Sequence, residues 1–394
     1  MSLSLSLGSA AIAGGCSSPT SSDVASNDAT DAVTHDTSST DTPSPNDVPG
    51  NDSTANDANV PDVVAMDATD APSPDDASST MDAVADVPAD TRADAPSFDA
   101  GDPLVPIAEF SGFGEISGLQ ASRRYPGVIW GHRDGSGTAD DPLRTSIYAF
   151  RVVSGRLDMS FAPGSGYRRI PAAAGATVLN RNWEGIGMSH ESDGSYALWL
   201  GDIGNNTGGR NTYQIYKFRE PDPAATSTTL LATYQFRYPD TAMVAGAWPN
   251  CESLFVLDGI PYIFTKAATT DIYRFPGAPD GTLQTLVHVG VVREPASGFG
   301  NLSYADVSTD GTRGVVGTHV HFWVYTGGDA SLTGDAFVLG LFGSRAPAFD
   351  QALTGAMITG AVNFEGATFM NDSYDVVLGS ESQAILYWAA SRYE

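Results

Sequence analysis

The sequence predicts an all-β fold, most simply a β-propeller with five blades. Five short segments share an acidic residue at or near the start of an apolar run: Gly114–Leu119, Trp183–Met188, Cys251–Val256, Tyr304–Ser308 and Phe364–Phe369. Each segment is followed by a second β-rich run and then by a third run rich in aromatic residues, as at Ile147–Phe150 and Ile215–Phe218. A unit of several strands that recurs along a chain is typical of sheets repeated around an axis.

The two ends of the repeat region predict how the ring closes. An apolar strand at 104–110 precedes the first unit, and the last unit has no fourth run after its aromatic strand, Ile385–Trp388. We therefore expect strand 104–110 to complete the last blade, because this pairing removes the open edges that a linear array of sheets would expose.

The outer strand of the other blades is predicted from a fourth apolar run. Such runs lie at Leu230–Tyr238, Leu283–Val292 and Ala336–Phe342. Units one and two are the longest, so the alternative is a propeller of six blades with an irregular blade near Tyr167–Ala176. Clusters of Gly, Pro, Asn and Asp separate the runs, as in an all-β chain.

Composition divides the chain into three parts, residues 1–16, 17–102 and 103–394. Residues 17–102 contain nineteen aspartates, no glutamate and a single basic residue, Arg92. Such a segment buries too little apolar surface to offset the entropy of ordering, which predicts a disordered tether. Most of the net charge of −27 belongs to this segment, so the charge says little about the predicted propeller domain, residues 103–394.

The first segment, Met1–Cys16, is apolar, consists largely of small residues and ends on a cysteine. It resembles the end of a bacterial lipoprotein signal, which implies that Cys16 is lipidated after cleavage. A lipid-bearing cysteine followed by a long polar tether would hold a domain away from a membrane surface. We therefore expect an extracytoplasmic protein that is lipid-anchored to the cell envelope. The alternative is an uncleaved, disordered N-terminus.

Charge and cysteine content restrict the partners and the covalent bonds that the domain can have. Basic clusters interleaved with aromatic residues are missing and the net charge is negative, which argues against nucleic-acid binding. Cys251 is the only cysteine in residues 103–394, so no disulfide bond can form within the domain. We expect a monomer whose further partner is a small molecule or another protein.

Glutamates near the strand starts are the candidate metal ligands. In a propeller the first strand of each blade lines the central channel, and its first residues lie near one mouth. Four carboxylates are therefore predicted to face one another: Glu115, Glu184, Glu252 and Glu365. Facing carboxylates repel one another or recruit a cation, and hard oxygen ligands suit Ca²⁺. The alternative is a structural role, in which each glutamate accepts hydrogen bonds from the backbone of the neighbouring blade.

Further polar residues are expected at the same mouth. Six of them follow the second strands and one, Asp306, belongs to the fourth unit: His132, Asp134, Asp202, Asn205, Lys266, Asp306 and His319. The histidines are candidates for acid–base chemistry, because imidazole titrates near neutral pH. For the fourth unit two alignments are open, one with Asp306 and one with Ser303 at the position of Glu365.

Four motifs occur in order along the chain: WEGIG (Trp183–Gly187), GDIGNN (Gly201–Asn206), IYKFREP (Ile215–Pro221) and ADVSTDGTR (Ala305–Arg313). On these motifs the chain resembles a family of bacterial secreted and lipoprotein β-propellers of unassigned function, which is distantly similar to phytase-like and gluconolactonase-like propellers. The similarity covers nearly all of residues 110–390. Related sequences often carry more acidic residues beside these motifs, so the resemblance implies a reduced set of carboxylates in this chain.

The expected function is that of a surface-tethered binding or scaffold module, with Ca²⁺ as a stabilising ion. The alternative is a calcium-dependent extracytoplasmic hydrolase that acts on a phosphate ester, a lactone or another small ester at the channel mouth. The reduced set of carboxylates favours the binding module, whereas a complete carboxylate cluster with a metal would favour the hydrolase. The fold alone does not distinguish a binding module from a hydrolase, because propellers host many unrelated functions.

Overall fold

The computed structural model describes residues 104–110, 114–135, 145–172, 178–295, 301–353, 363–371, 373–382 and 385–389. The signal segment 1–16 with Cys16 and the tether 17–102 lie outside the described residues, so their predicted roles stay predictions. In the described part of the chain, no helix is both long enough and apolar enough to cross a membrane.

The described strands form five sheets, and each sheet is one blade. Blade one contains β2 (Ile116–Ala121), β3 (Val128–Arg133), β4 (Ser146–Val153) and β6 (Tyr167–Pro171), with the short β5 (Arg156–Leu157) paired to the end of β4. Blade two contains β7 (Trp183–His190), β8 (Tyr196–Asp202), β9 (Tyr213–Arg219) and β10 (Leu230–Arg237).

The remaining three blades repeat the same antiparallel order. Blade three contains β11 (Cys251–Leu257), β12 (Ile260–Thr265), β13 (Asp271–Arg274) and β15 (Val287–Val291). Blade four contains β16 (Tyr304–Val307), β17 (Arg313–Thr318), β18 (His321–Thr326) and β19 (Phe349–Ala352). Blade five contains β20 (Phe364–Phe369), β21 (Val376–Ser380), β22 (Ile385–Ala389) and β1 (Val105–Glu109).

These sheets confirm the five-bladed propeller. The alternative of six blades is wrong for the described residues, because β6 pairs with β4 from Ser146 to Phe150 and so forms the outer strand of blade one. Residues 173–176 of the suggested sixth blade lie outside the described residues. The extra length of the first unit comes partly from the β4–β5 hairpin, which precedes β6.

Ring closure by the N-terminal strand is also confirmed. The strand β1 pairs antiparallel with β22, with Val105 opposite Trp388 and Glu109 opposite Ile385. The flanking residues Leu104 and Phe110 are buried against different neighbours, Leu104 among residues of blades four and five and Phe110 among residues of blades one and five. The strand therefore fastens the first and last parts of the domain together through both backbone and side chains.

The prediction of an outer strand at Ala336–Phe342 is wrong. This segment forms the short helix α1 (Gly334–Val338), which continues into a π-helical turn over Leu339–Gly343. Its apolar residues recur with helical spacing, and Phe337, Val338, Leu341 and Phe342 are buried together between blades three and four. The outer strand of blade four is β19 instead.

The predicted strand Leu283–Val292 is divided at the buried Leu286. The short β14 (Leu283–Thr285) pairs in parallel with β10 of blade two, whereas β15 pairs with β13 of blade three. One apolar run therefore serves two blades, because the connection from β13 to β15 within blade three passes along the outer strand of blade two.

The five first strands line the axis, and each contacts the next around the ring. Hydrophobic clusters fill the spaces between blades, and one of them contains both Trp130 of blade one and Trp183 of blade two. Gly185 permits the close approach of two first strands, because a Cβ there would lie 2.6 Å from the backbone nitrogen of Leu254. The Gly185 of the WEGIG motif therefore reflects packing at the axis.

Candidate functional site at the channel mouth

Strand register identifies one equivalent position in the first strand of each blade. In four blades one first-strand residue pairs with the second strand at a comparable place: Gly118 with His132, Ser253 with Phe264, Tyr304 with Gly317 and Gly366 with Gly379. The equivalent position is the residue immediately before each of these first-strand residues. In the second blade the register shifts immediately after Trp183, at Glu184. The residues at the equivalent position, here called the inner ring, are Ser117, Glu184, Glu252, Ser303 and Glu365.

Three of the four predicted glutamates belong to the inner ring, and Glu115 does not. Glu115 lies two residues before Ser117, and its carboxylate is 3.5 Å from Arg133. Its backbone oxygen accepts a hydrogen bond from the backbone of Asp134 at 3.0 Å, just as the backbone oxygen of Asn250 accepts one from Lys266 at 2.8 Å. Glu115 therefore occupies the position that an asparagine occupies in the other blades.

A signal for the correct alignment is present in the sequence. Each blade other than the first carries an asparagine two residues before its ring position: Asn182, Asn250, Asn301 and Asn363. Aligning the units on this asparagine, rather than on the first acidic residue, identifies Ser303 as the ring member of blade four. The acidic residue Glu115 concealed this spacing in the first blade.

Consecutive blades bring three potential ligand atoms together. One atom each from Glu252, His319 and Glu365 lies within 4.8 Å of the other two. The two glutamates are buried, whereas the side chain of His319, which follows β17, is 34% exposed. The His319 Nε2 atom is 3.0 Å from Glu365 Oε1. We call these three residues the ligand triad.

Lys266 lies beside the ligand triad. Its ammonium group forms an ion pair with Glu252 Oε1, and its Nζ is 3.4 Å from His319 Nε2. Two buried oxygens of the inner ring, Glu252 Oε2 and Ser303 Oγ, have no hydrogen-bond partner among the described residues. A buried acceptor without a partner is costly, so these oxygens are available to a ligand.

The remaining ring glutamate, Glu184, is held by protein groups. Ser117 Oγ donates to Glu184 Oε2 at 2.6 Å, and the amide of Asn182 donates to Glu184 Oε1 at 2.5 Å. The same amide donates to Asp134 at 2.7 Å, so Asn182 bridges two carboxyl groups from different blades. Both oxygens of Glu184 are satisfied, which separates it from the ligand triad.

Burial and mutual repulsion favour the protonated state of several carboxyls at this mouth. Burial raises the pKa of Glu184 well above its usual value, and the charges of Glu252, Asp134 and Glu365 raise it further. Burial also raises the pKa of Glu252 to about 7, although Lys266 acts in the opposite direction. A divalent cation in this environment would favour the ionised carboxylates and offset their repulsion.

Two other predicted residues lie buried in the packed interior. His132 is fully buried with its ring edge-on to Trp183, and burial lowers its pKa to about 4. Asp306 accepts hydrogen bonds from Thr368 Oγ1 at 2.8 Å and from the backbone of Phe369 at 3.0 Å. Of the two alignments open for the fourth unit, the register therefore supports Ser303, and Asp306 links blade four to blade five.

Asp202 and Asn205 organise the loop that follows β8. Asp202 is buried and pairs with Arg210 at 3.1 Å. The amide of Asn205 donates to Tyr213 Oη and to the backbone oxygen of Trp248, both at 3.1 Å. The GDIGNN motif thus builds a loop at the mouth, and these two side chains are already occupied.

Two cavities of different size lie at the two ends of the first strands. A cavity of about 10 Å³ is lined by Glu184, Glu252 and Glu365, and this volume accommodates roughly one water molecule. A cavity of about 440 Å³ lies at the far end, where Met188, Phe255 and other residues of blades two to four line it. At the end that carries the glutamates, here called the near mouth, an ion or a single polar group fits between them, and anything larger must lie outside them, against the partly exposed His319.

No family model and no curated protein sequence matches this chain. Among solved structures, it is similar to the periplasmic gluconolactonase PpgL of Pseudomonas aeruginosa, with 13% identity, a TM-score of 0.33 and coverage of 67% of this chain and 64% of that chain. It is also similar to Raptor of Chaetomium thermophilum, with 9% identity, a TM-score of 0.36 and coverage of 73% of this chain and 30% of that chain. The chain thus spans less than two thirds of the length of either protein, and likeness at this level carries no functional argument.

Proposed function

We propose that this protein is a cell-envelope-tethered propeller that binds a divalent cation at the near mouth of its channel and uses that mouth as a binding module. The observation that carries the proposal is the ligand triad, in which Glu252, His319 and Glu365 from three consecutive blades place one atom each within 4.8 Å of one another. The unpartnered, buried Glu252 Oε2 is a second, independent indication of a missing ligand contact.

The donor set indicates which cations to test. Two carboxylates and one imidazole suit Zn²⁺ or Mn²⁺, because imidazole nitrogen favours transition metals and carboxylate oxygen accepts both. Calcium, expected from the sequence, stays a prediction, since the mouth also offers the unpartnered hydroxyl oxygen of Ser303. Three protein ligands would leave coordination positions for water or for an external ligand.

Hydrolysis of a phosphate ester, a lactone or another small ester is the second candidate function. The supporting observation is that Glu252, with a pKa raised by burial to about 7, lies in contact with the half-exposed His319 through Lys266. A group with a pKa near the working pH suits general acid–base catalysis. Turnover of nitrophenyl esters, nitrophenyl phosphate and an aldonolactone, lost in Glu252→Gln, would support this function over simple binding.

The cation proposal is tested on the full-length protein after chelator treatment, by calorimetry and thermal melting with Zn²⁺, Mn²⁺, Ca²⁺ and Mg²⁺. A cation at a hundredfold excess over its Kd stabilises the native state by about 2.7 kcal/mol, which raises Tm by a few degrees in a domain of this size. Glu365→Gln should weaken binding at least tenfold, because it keeps the shape and removes a ligand charge.

The matched control for that experiment is Glu115→Gln, which removes a carboxylate beside the mouth but outside the inner ring. It should change the Kd less than about twofold. Absence of any cation response at millimolar concentration, or equal effects of the two variants, would overturn the proposal.

The tether forms part of the proposal, although Cys16 lies outside the described residues. Lipidation of Cys16 and a polar segment of more than eighty residues would place the mouth in the space outside the cytoplasm, free to meet soluble ligands. Expression in a Gram-negative host with a labelled fatty acid should give a labelled protein, and Cys16→Ala should abolish the label. Label that persists in the variant contradicts this assignment.

A further inference from the structure

Lys266 occupies the place where a cation would be expected at the ligand triad. Its ammonium group pairs with Glu252 and lies 3.4 Å from the imidazole of His319, so one protein side chain already contacts two of the three triad residues. The Lys266 side chain is 16% exposed, which places its end at the border between the ring and the solvent.

The contacts of His319 Nε2 cannot all be favourable at once. This nitrogen lies 3.0 Å from a carboxylate oxygen of Glu365 and 3.4 Å from the Lys266 ammonium. When Nε2 carries a proton it donates to Glu365 but presents an N–H to an ammonium that can only donate. When Nε2 is bare it accepts from Lys266 but presents a lone pair to an ionised Glu365. With Lys266 in place, at least one contact of the His319 imidazole therefore remains unfavourable.

A divalent cation would satisfy the same three groups together. It accepts lone pairs from the bare imidazole nitrogen and from both carboxylates, whereas the Lys266 ammonium contacts Glu252 and His319 and leaves Glu365 to the imidazole. Because the ammonium and the cation use Glu252 and His319 alike, they compete for the site. The flexible four-carbon stem of lysine allows its charged end to move toward the solvent without a change in the backbone.

We propose that Lys266 is a displaceable internal counter-ion that holds the near mouth together in the cation-free protein and must withdraw before a divalent cation binds. This inference rests on the proposed cation site and adds a regulatory property to it. Lys266 sets a concentration threshold, so that the mouth takes up its cation only where the cation is abundant enough to displace the ammonium group.

The main test is Lys266→Met in the full-length protein, which keeps most of the stem and removes the charge. Calorimetry with Zn²⁺ and Mn²⁺ should show a Kd at least tenfold lower than in the unmodified protein. The matched control is Lys217→Met, because Lys217 forms a comparable pair with Glu191 at 2.7 Å and its side chain is 14% exposed, but it lies outside the triad. This control should leave the Kd unchanged.

A second measurement uses the unmodified protein and so does not depend on the folding of a variant. Lys266 should become more reactive toward reductive methylation when the cation is present, as read by peptide mass spectrometry, while the reactivity of Lys217 stays constant. Protection of Lys266 by the cation, or no change, would overturn the inference.

The outcomes separate this inference from the proposed function. If the unmodified protein binds a cation and Lys266→Met binds it no more tightly, the counter-ion role is overturned and the cation site stands. If only Lys266→Met binds a cation, Lys266 is not displaced in the native protein, and both the proposed function and the displaceable counter-ion are overturned. If neither protein binds, both proposals are overturned.

Discussion

At the near mouth of the channel, Glu252 and Glu365 come from different blades and face a histidine and a lysine from two second-strand ends. At the far end, Asp310 is enclosed by its own turn, where it accepts hydrogen bonds from Ser308 Oγ at 2.7 Å and from the backbone of Thr312 at 3.0 Å. The near mouth therefore brings together charged side chains that the backbone does not satisfy. At the far end, the Asp310 carboxylate is satisfied by residues of its own turn.

The two ends of the axis also differ in the pKa values of their carboxyl groups. Local satisfaction of the Asp310 carboxylate by Thr312, Tyr374 and Ser308 outweighs the effect of burial and lowers its pKa, whereas burial at the near mouth raises the pKa of Glu184 and Glu252. Carboxyls with raised pKa values in a cleft are typical of functional sites. The far cavity is larger, yet the chemistry is concentrated around the small one.

The largest expected effect on stability is that of Asp306→Ala, below the inner ring. Asp306 accepts from Thr368 Oγ1 and from the backbone of Phe369, and Thr368 Oγ1 in turn accepts from the backbone of Ala121 at 2.8 Å. The substitution leaves buried donors without an acceptor, which should lower the free energy of unfolding by about 3 kcal/mol. Urea unfolding at pH 7 measures it.

The control for this prediction is Asp258→Asn at the rim of the far cavity. Asp258 is exposed in a left-handed turn with a φ of 52°, a conformation that asparagine tolerates. It should change stability by no more than about 0.5 kcal/mol. If the two substitutions destabilise the protein equally, the hydrogen bonds that connect Asp306 to blades five and one do not contribute to its stability as expected.

A smaller effect, but one with a definite sign, is expected for the pH dependence of stability at the near mouth. Because the pKa of Glu252 is raised from 4.5 to about 7 in the folded protein, its contribution to stability is present below pH 4.5 and is lost as pH rises through 7. The Glu252→Gln variant has no carboxyl group to ionise at this position, so its stability should not show this loss with rising pH. Relative to the variant, the unmodified protein should therefore become less stable between pH 5 and pH 8, by about 2 kcal/mol at roughly 1.4 kcal/mol per pKa unit.

Urea unfolding of both proteins at pH 5, 6, 7 and 8, without divalent cations, measures this difference. A difference that does not vary with pH would mean that Lys266 keeps Glu252 ionised across the range. A difference that grows in the opposite direction would show that the ion pair outweighs burial, and the near mouth would then resemble the far end.

The repeated pattern of apolar, β-rich and aromatic runs was sufficient to predict a propeller of five blades, with six as the alternative, and the closing strand at 104–110. Such patterns are local, because each strand needs one face of apolar side chains whatever its partner is. The helix at 334–338 was missed because a short apolar run suits a strand and a buried helix alike, and only its packing between blades three and four distinguishes them.

The sequence by itself determined that this chain forms a propeller with acidic residues at its strand starts, with five blades expected and six as the alternative, because strand formation and blade repetition follow from residue pattern. Only the tertiary structure decided which side chains meet: Ser117 instead of Glu115 and Ser303 instead of Asp306 in the inner ring, and Lys266 between Glu252 and His319. The physical reason is that an offset of two or three residues, set by bulges and by the contact of neighbouring blades, determines which residue faces the axis.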